Sequence, residues 1–557
     1  MNNEVSNNLQ QNDIDEKMSE AQQLFLHCEY EKAFELIKKL ADKDCVRAYY
    51  LLGKIYNGQF VPGVSNKVLQ KKYYRKGHEA GDKLCSLWYY ILEKPDYGQP
   101  KLINEIKELA EAGDVFAQYE LSFLHYSGVM VVVNPAETVK WCTMAAEQGY
   151  ALAQNDMAGF YNNGWGVAKD PKKAAYWYEQ AAQNGHTAAQ CRLGDWYFEG
   201  NDVIEQDYEK AVKWYKASAD KNSPLAQCNL GFMYDNGYGV EQNRNKALDY
   251  YKKSAEQGHA PAQCNLGVMY ATGCIVEENP QEAVKWYLAA AKQEFVAAQF
   301  YLGKMYDTGA GVKQDYKEAA KWYQRAAEKN HAVAQCILAA MYDAGEGVEK
   351  DYKQAFSWYM ASAKQGYMPA QFELGEMYRY GEGTEKNMEK AHEWYLKAAE
   401  QDDPYAAFSL GMLYQAGDGV EKNYDEAIKW YKKASEQKMG QADYQLACLY
   451  LYGEGVEKDY KQALVHFTKA AENGDLQGQC SLGVMYENGY GTDVNYTEAQ
   501  KWYEAAADKG EATAQYNLAV LYASDNIKKD MELAHQWMEK AAANNYKEAV
   551  KWLADNK

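Results

Sequence analysis

Ala298-Gln299-Phe300-Tyr301-Leu302-Gly303-Lys304-Met305-Tyr306-Asp307-Thr308-Gly309-Ala310-Gly311-Val312 runs on into Lys313-Gln314-Asp315-Tyr316-Lys317-Glu318-Ala319-Ala320-Lys321-Trp322-Tyr323-Gln324-Arg325-Ala326-Ala327. In the first half, Ala298, Leu302, Met305 and Tyr306 fall at i, i+4, i+7 and i+8, one face of a helix. In the second half, Ala319, Trp322, Tyr323, Ala326 and Ala327 form the apolar stripe of another helix. Gly309-Ala310-Gly311-Val312 separates them as a turn, because glycine takes the left-handed conformation that ends a helix. Asp315 stands where an N-cap accepts the free amides of the second helix.

Working outward, the anchor Leu302 has counterparts at Leu121, Met157, Leu193, Leu230, Leu266, Leu338, Leu374, Leu410, Leu446, Leu482 and Leu518. Every step is 36 residues except Leu193 to Leu230, which is 37. Self-similarity at such a period means a stacked array in which each unit buries its apolar face on its neighbours. The expected fold is therefore all-α: a right-handed superhelical α-solenoid of about fifteen antiparallel helix hairpins plus a C-terminal capping helix. Residues 1–15 are expected to be a disordered tail, 16–112 divergent hairpins, 113–544 twelve regular repeats, and 545–557 the capping helix. Lys94-Pro95-Asp96-Tyr97-Gly98-Gln99-Pro100 reads as a loop in the divergent part. Trp141, Trp177, Trp214, Trp286, Trp322, Trp358, Trp394, Trp430 and Trp502 share one register and are expected to be the large packing bodies. Val129-Met130-Val131-Val132-Val133 replaces one glycine loop, either repacked locally or contacting a partner.

The chain carries 60 basic and 79 acidic residues, a balance of −19, which argues against nucleic acid as a partner. No apolar run is long enough to span a membrane, and the polar start lacks the features of a secretory signal, so a cytoplasmic protein is expected, with signal-less secretion left open. Cys191, Cys228, Cys264, Cys336 and Cys480 occupy one repeat position, each after the repeated Gln. Stacked equivalents sit ~8–10 Å apart, too far for a disulfide, so free thiols are expected. No cofactor or metal is expected, since no metal-knuckle, Walker or HExxH spacing occurs. His186, His259 and His331 share a position after the second helix and suit its C-terminus. Ser218-x-x-Lys221 and Ser435-x-x-Lys438 match the SxxK of penicillin-recognising enzymes, without a Lys-Thr-Gly.

These residues resemble the Sel-one-like repeat, a relative of the tetratricopeptide repeat. The shared pattern is Ala-x-Ala-Gln-x-x-Leu-Gly-x-Met-Tyr-x-x-Gly-x-Gly-Val-x-x-Asp-Tyr-x-x-Ala-x-x-Trp-Tyr-x-x-Ala-Ala-x-x-Gly, over about residues 113–544. The resemblance implies a scaffold acting in signalling, envelope assembly, protein quality control or host–microbe contact. It also implies that the stripe at −5, −2, +2 and +5 from the anchor lines a concave, partner-binding face. The stripe residues singled out are Tyr119, Phe123, Asn155, Asp195, Phe232, Asp235, Phe300, Lys304, Asp307, Asp343, Phe372, Glu376, Arg379, Phe408 and Tyr444. The cysteines at −2 would then be semi-exposed.

The function expected is a non-catalytic protein–protein interaction scaffold or adaptor. Its partner is a protein or peptide with basic or aromatic segments; membrane insertion is not expected. The alternatives are a hydrolase with a Ser–Lys or Cys–His site, and a self-assembling array using the N-terminal hairpins.

Overall fold

The computed structural model describes the backbone of residues 2–61, 63–93 and 99–555, and side chains from residue 11 onward. Lys94–Gly98, most of the expected loop, lie outside the described residues. The described residues form 31 helices and no strand, so the chain is an all-α array of stacked hairpins. Contacts divide it into two units, residues 1–295 and 296–557.

The unit around Leu302 folds as its sequence dictates. Its first helix is Val296–Thr308 and its second is Tyr316–Glu328. Asp315 accepts from the amides of Lys317 at 3.0 Å and Glu318 at 3.1 Å, as the N-cap reading requires. In most turns the first glycine caps the first helix in the left-handed region, as at Gly381 with φ 79°. The second glycine has another duty. Gly383, φ 69°, lies so close to the Tyr352 carbonyl of the preceding hairpin that a β-carbon would overlap that oxygen.

Tyrosine, rather than tryptophan, is the large core residue. Tyr251, Tyr287, Tyr323, Tyr395, Tyr431 and Tyr503 are fully buried, one residue after the tryptophan register. Each ring lies on the glycine that follows the anchor: a β-carbon on Gly303 would come within 2.8 Å of Tyr323, and one on Gly375 within 2.6 Å of Tyr395. Of the nine tryptophans expected to pack inside, Trp141, Trp394 and Trp430 are buried and the rest half-buried. Their outer faces carry cations, such as Lys397 at 3.8 Å from the Trp394 centroid and Arg325 at 4.3 Å from that of Trp322. One step along a helix turns a side chain by about 100°, enough to move it from core to rim.

The repeated glutamine stitches hairpins together. The Gln335 amide donates to the Ala327 carbonyl at 2.9 Å, and its oxygen accepts from Gln365, 30 residues on, at 2.7 Å. Gln118–Gln148 and Gln371–Gln401 repeat that link, each at 2.7 Å. A buried amide satisfied on both sides holds successive units in register.

Two expectations are corrected, and a third, left open between two alternatives, is narrowed. Residues 2–15 belong to a helix, Asn2–Leu26, rather than a tail. Ile14, Met18, Ala21 and Phe25 give it one apolar face against the core, while Asn12, Asp13, Glu16, Ser19 and Glu20 are exposed. His186 and His331 are N-caps of the following helix, not C-terminal charges: their Nδ1 atoms accept from the amides of Ala189 at 3.2 Å and Ala334 at 3.1 Å. Burial holds the His186 imidazole down to about 4, so it is neutral and able to accept. The valine loop splits: Val129, Met130 and Val131 pack on the core, while Val132 and Val133 are exposed.

Candidate functional site

The singled-out stripe divides by what each position touches. At −2, Phe300, Phe372, Phe408 and Tyr444 are half-buried, and their rings meet the hairpin's own core aromatic: Tyr323 at 5.9 Å, Tyr395 at 5.9 Å, Tyr431 at 5.7 Å and Phe467 at 5.8 Å. Phe300 also stacks on His331 at 4.7 Å. The cysteines of that register are deeper than expected. Cys191, Cys228, Cys264 and Cys480 are buried and Cys336 is half-buried, because a small side chain there lets the next hairpin close over it.

At +2 and +5 the acidic groups receive the hydroxyls of the buried tyrosines. Asp195 accepts from Tyr215 at 2.9 Å and Asp307 from Tyr323 at 3.4 Å, while Glu376 accepts from Tyr395 and pairs with Arg379 at 3.4 Å. A buried ring ending in a hydroxyl at the rim needs an acceptor there. These groups therefore serve the scaffold first. Asp235 pairs with Arg244 at 3.6 Å; Asn155 and Asp343 are half-buried, and Lys304 is exposed.

Two groups stand apart. Phe232, 41% exposed, gathers with Phe198 at 5.9 Å and Tyr238 at 5.9 Å, and Tyr208 lies 5.0 Å from Tyr238. Tyr126 similarly gathers with Trp165 at 4.9 Å and Phe160 at 5.9 Å. Tyr119 and Phe123 instead line a cavity of about 1060 Å³ between the N-terminal hairpins and the first regular repeats, where Phe123 stacks on Trp88 at 5.6 Å.

The stripe reading missed the −1 position. Glu120 is fully buried there, its Oε1 accepting from Tyr50 at 2.5 Å and Lys54 at 2.6 Å. Asp156, at the same position of the next repeat, accepts from Tyr119 at 2.9 Å, and burial raises its carboxyl to about 6. Glu120, Asp156 and Glu373 are the acids of a register whose other members are neutral apart from Arg192, and that was the signal available in the sequence.

The Asp156 value has a measurable consequence. Because the folded chain holds that proton more tightly than the unfolded chain does, the contribution is fully present below the ordinary value of 3.8 and is lost as pH rises through about 6. His186 acts oppositely: its contribution is present above its ordinary 6.5 and is lost as pH falls through about 4. Asp156→Asn is expected to stabilise the chain at pH 8, by up to about 3 kcal/mol. In melts from pH 4 to 8 the loss through about 6 that Asp156 contributes should disappear, while the acid-side loss from His186 remains. An unchanged pH profile would refute the assignment.

The serine motifs are not set up as nucleophiles. Ser218 is buried, donates to the Thr187 carbonyl at 3.1 Å, and its Lys221 donates to the Gly185 carbonyl at 2.8 Å. Ser435 and His466 both approach Asp443 Oδ1, at 2.8 and 3.0 Å. The carboxylate lies between hydroxyl and imidazole, whereas a triad needs the imidazole in the middle. Burial pushes the Cys228, Cys264, Cys336 and Cys480 thiols up to about 12, the reverse of an activated nucleophile. All eleven cysteines are free and Cys274 alone is exposed. Brief maleimide treatment of native chain is expected to modify Cys274 first, read by peptide mass mapping. Preferential labelling of a cysteine from the −2 register would contradict the burial.

Comparison with known proteins follows the same register. Thirteen segments match the family described as Sel1 repeat: 46–82, 115–150, 151–186, 187–223, 224–259, 260–295, 296–331, 332–367, 369–403, 404–439, 440–475, 476–511 and 512–546. One of them, 46–82, lies within the part read as divergent. Among solved structures, c5321, a protective antigen present in uropathogenic Escherichia coli strains and displaying an SLR fold, is 32% identical with a TM-score of 0.66, over 82% of this chain and 97% of that one. A Sel1 repeat protein from Oxalobacter formigenes is also 32% identical, with a TM-score of 0.47, over 56% of this chain and 90% of that one. A search of curated proteins finds no match.

Proposed function

This chain belongs to the Sel1 repeat family, a non-catalytic scaffold architecture suited to protein–protein interaction, and from the residues that the scaffold leaves over we propose where its partner is held. The partner is a protein or peptide, bound on the stripe face through aromatic side chains. The observation that carries this reading is the Phe198–Phe232–Tyr238 cluster. Phe232 and Tyr238 are 41% and 36% exposed, and their contacts are with one another and their rim neighbours rather than with a core tyrosine. Clustered exposed aromatics are the usual anchors of a protein interface. The −19 balance favours a partner segment with basic residues beside its apolar ones.

Self-association through the N-terminal hairpins is the second use proposed for the molecule, supported by the exposed Val68, at 76%. Cytoplasmic residence belongs to the same reading; unbridged cysteines support it, and none of the described helices is long and apolar enough to cross a membrane.

The test is capture of partners from a lysate by wild type and by Phe232→Ser/Tyr238→Ser. This pair is chosen because alanines at Phe300, Phe372 and Phe408 would also disturb the buried tyrosines. Loss of specific partners by the variant, with its melting unchanged, is the expected result. Identical partner sets would refute the face.

A further inference from the structure

The net charge of −19 is not spread evenly along the chain. Residues 1–112 hold 16 basic and 17 acidic residues, so 18 of the 19 net negative charges lie beyond residue 112. Within the nearly neutral N-terminal stretch the two signs are separated. The helix Asn2–Leu26 carries five acids and one lysine, a balance of −4. The helix Lys67–Glu79 carries four lysines, one arginine and one glutamate, a balance of +4.

Both helices turn these charges outward. Gln70, Tyr74 and Gly77 are the buried side of the basic helix, while Lys67, Lys71, Lys72, Arg75 and Lys76 are exposed. Residues three and four apart share a helix face, so the cations surround Val68, which is 76% exposed. Val68 and the last four of them line one concavity of about 330 Å³. Their charge is only partly answered: Lys71 and Arg75 share the single carboxylate of Glu93, each at 3.4 Å. Lys67 and Lys72 pair with no acid among the described residues. On the acidic helix, Asp13, Asp15, Glu16 and Glu20 are exposed. Lys17 takes Asp13 at 2.7 Å, which leaves Asp15, Glu16 and Glu20 without a cation among the described residues.

This separation selects a second copy of the chain. An anionic membrane or a nucleic acid drawn to the basic helix would also meet the acidic helix beside it in the same stretch, and the negative repeats. The N-terminal stretch of another copy is nearly neutral as a whole and offers the +4 helix a −4 helix. Every chain has both faces, so two copies paired about a twofold axis make the contact twice.

We propose that the chain self-associates by docking the basic helix Lys67–Glu79 of one copy on the acidic helix Asn2–Leu26 of another, with Glu16 and Glu20 among the cations around Val68. The proposal rests on the self-association reading above and supplies its two faces. Exposed ion pairs are individually weak and screened by salt, so the association is weak and salt-sensitive.

The test is sedimentation of the full chain over a range of concentrations, at about 50 mM and about 500 mM salt. Wild type is expected to associate as concentration rises, about tenfold more weakly at the higher salt. Lys67→Glu/Lys72→Glu and Glu16→Lys/Glu20→Lys each reverse one face at exposed, unpaired positions. Each variant alone should associate about tenfold more weakly than wild type, or less. Mixed in equal amounts, the two should recover wild-type association, because the reversed faces complement each other and so do the unreversed ones. Wild type that stays monomeric at every concentration would overturn this pairing and the self-association reading together. Wild type and both variants associating equally would leave that reading standing and overturn the pairing. A mixture as weak as its components would also overturn it, since the cations would then meet some other surface. Flotation of a monomeric wild type with phosphatidylserine–phosphatidylcholine vesicles, lost in Lys67→Glu/Lys72→Glu, would assign the basic helix to a membrane surface instead.

Discussion

Gly383→Ala is expected to loosen its neighbourhood by about 3–5 kcal/mol, a large loss for one methyl group. Two effects add. Gly383 has φ 69°, where an L side chain costs about 1–2 kcal/mol. A β-carbon would also overlap the Tyr352 carbonyl oxygen, which is backbone and cannot rotate away. Relief requires the helix Tyr352–Lys364 and the turn after Met368–Tyr380 to separate, which opens the joint between two hairpins. Gly366 is the internal control: its φ is 86°, equally left-handed, but nothing lies within 4 Å of a β-carbon there. Gly366→Ala should therefore show only the backbone cost. Stability in a repeat array is local and two-state analysis fails, so the measurement is native-state hydrogen exchange. Amides of Tyr352–Lys364 and Met368–Tyr380 should lose protection by a hundredfold or more in Gly383→Ala, those of the helix Ala512–Ala523 little. Equal losses in the two alanine variants would show that the carbonyl contact is unimportant.

That glycine also marks how far the sequence could be read. The hairpin, its turn and its N-cap were legible because each rests on local chemistry: an apolar period, a left-handed glycine, an aspartate before a helix. The second glycine looked like part of the turn, but its constraint comes from a carbonyl about thirty residues earlier, and no local rule contains that distance. The exchange of tryptophan for tyrosine has the same origin. Adjacent aromatic residues on one amphipathic helix both satisfy the periodicity, and only the glycine opposite decides which ring enters. Stripe residues such as Asp195, Asp307 and Glu376 were placed correctly along the first helix, yet their tyrosine partners lie on the second helix of the hairpin. The N-terminal cavity was least legible. Lys54, Trp88 and Glu120 come from three different hairpins, and the pattern is degraded around Trp88, so no spacing joins them.

Lys54→Met should be the most damaging change in that N-terminal region, about 3–5 kcal/mol, the cost of leaving a buried charge without its partner. Glu120 is fully buried and Lys54 only 12% exposed, so solvent can replace the lost ammonium poorly. The Tyr50 hydroxyl remains, but one neutral hydrogen bond does not neutralise a carboxylate. Methionine keeps the length of the stem and its contact with Trp88, which confines the change to the charge. Removing the opposite charge as well should reverse most of the loss: in Lys54→Met/Glu120→Gln the buried site is neutral, and the Gln amide can still accept from Tyr50. A double-mutant cycle from native-state hydrogen exchange in the helices Val46–Ile55 and Val115–Ser127 of the four proteins would then give a coupling of several kcal/mol between positions 54 and 120. Additive losses would mean that the pair is solvated in the folded chain and contributes only as a surface ion pair does, about 0–1 kcal/mol. The cycle also bears on how the junction is built. Lys54 belongs to the helix Val46–Ile55 and Glu120 to Val115–Ser127, so a strong coupling would identify a charge pair, in addition to apolar stacking, as what fixes the irregular N-terminal hairpins against the first regular repeat.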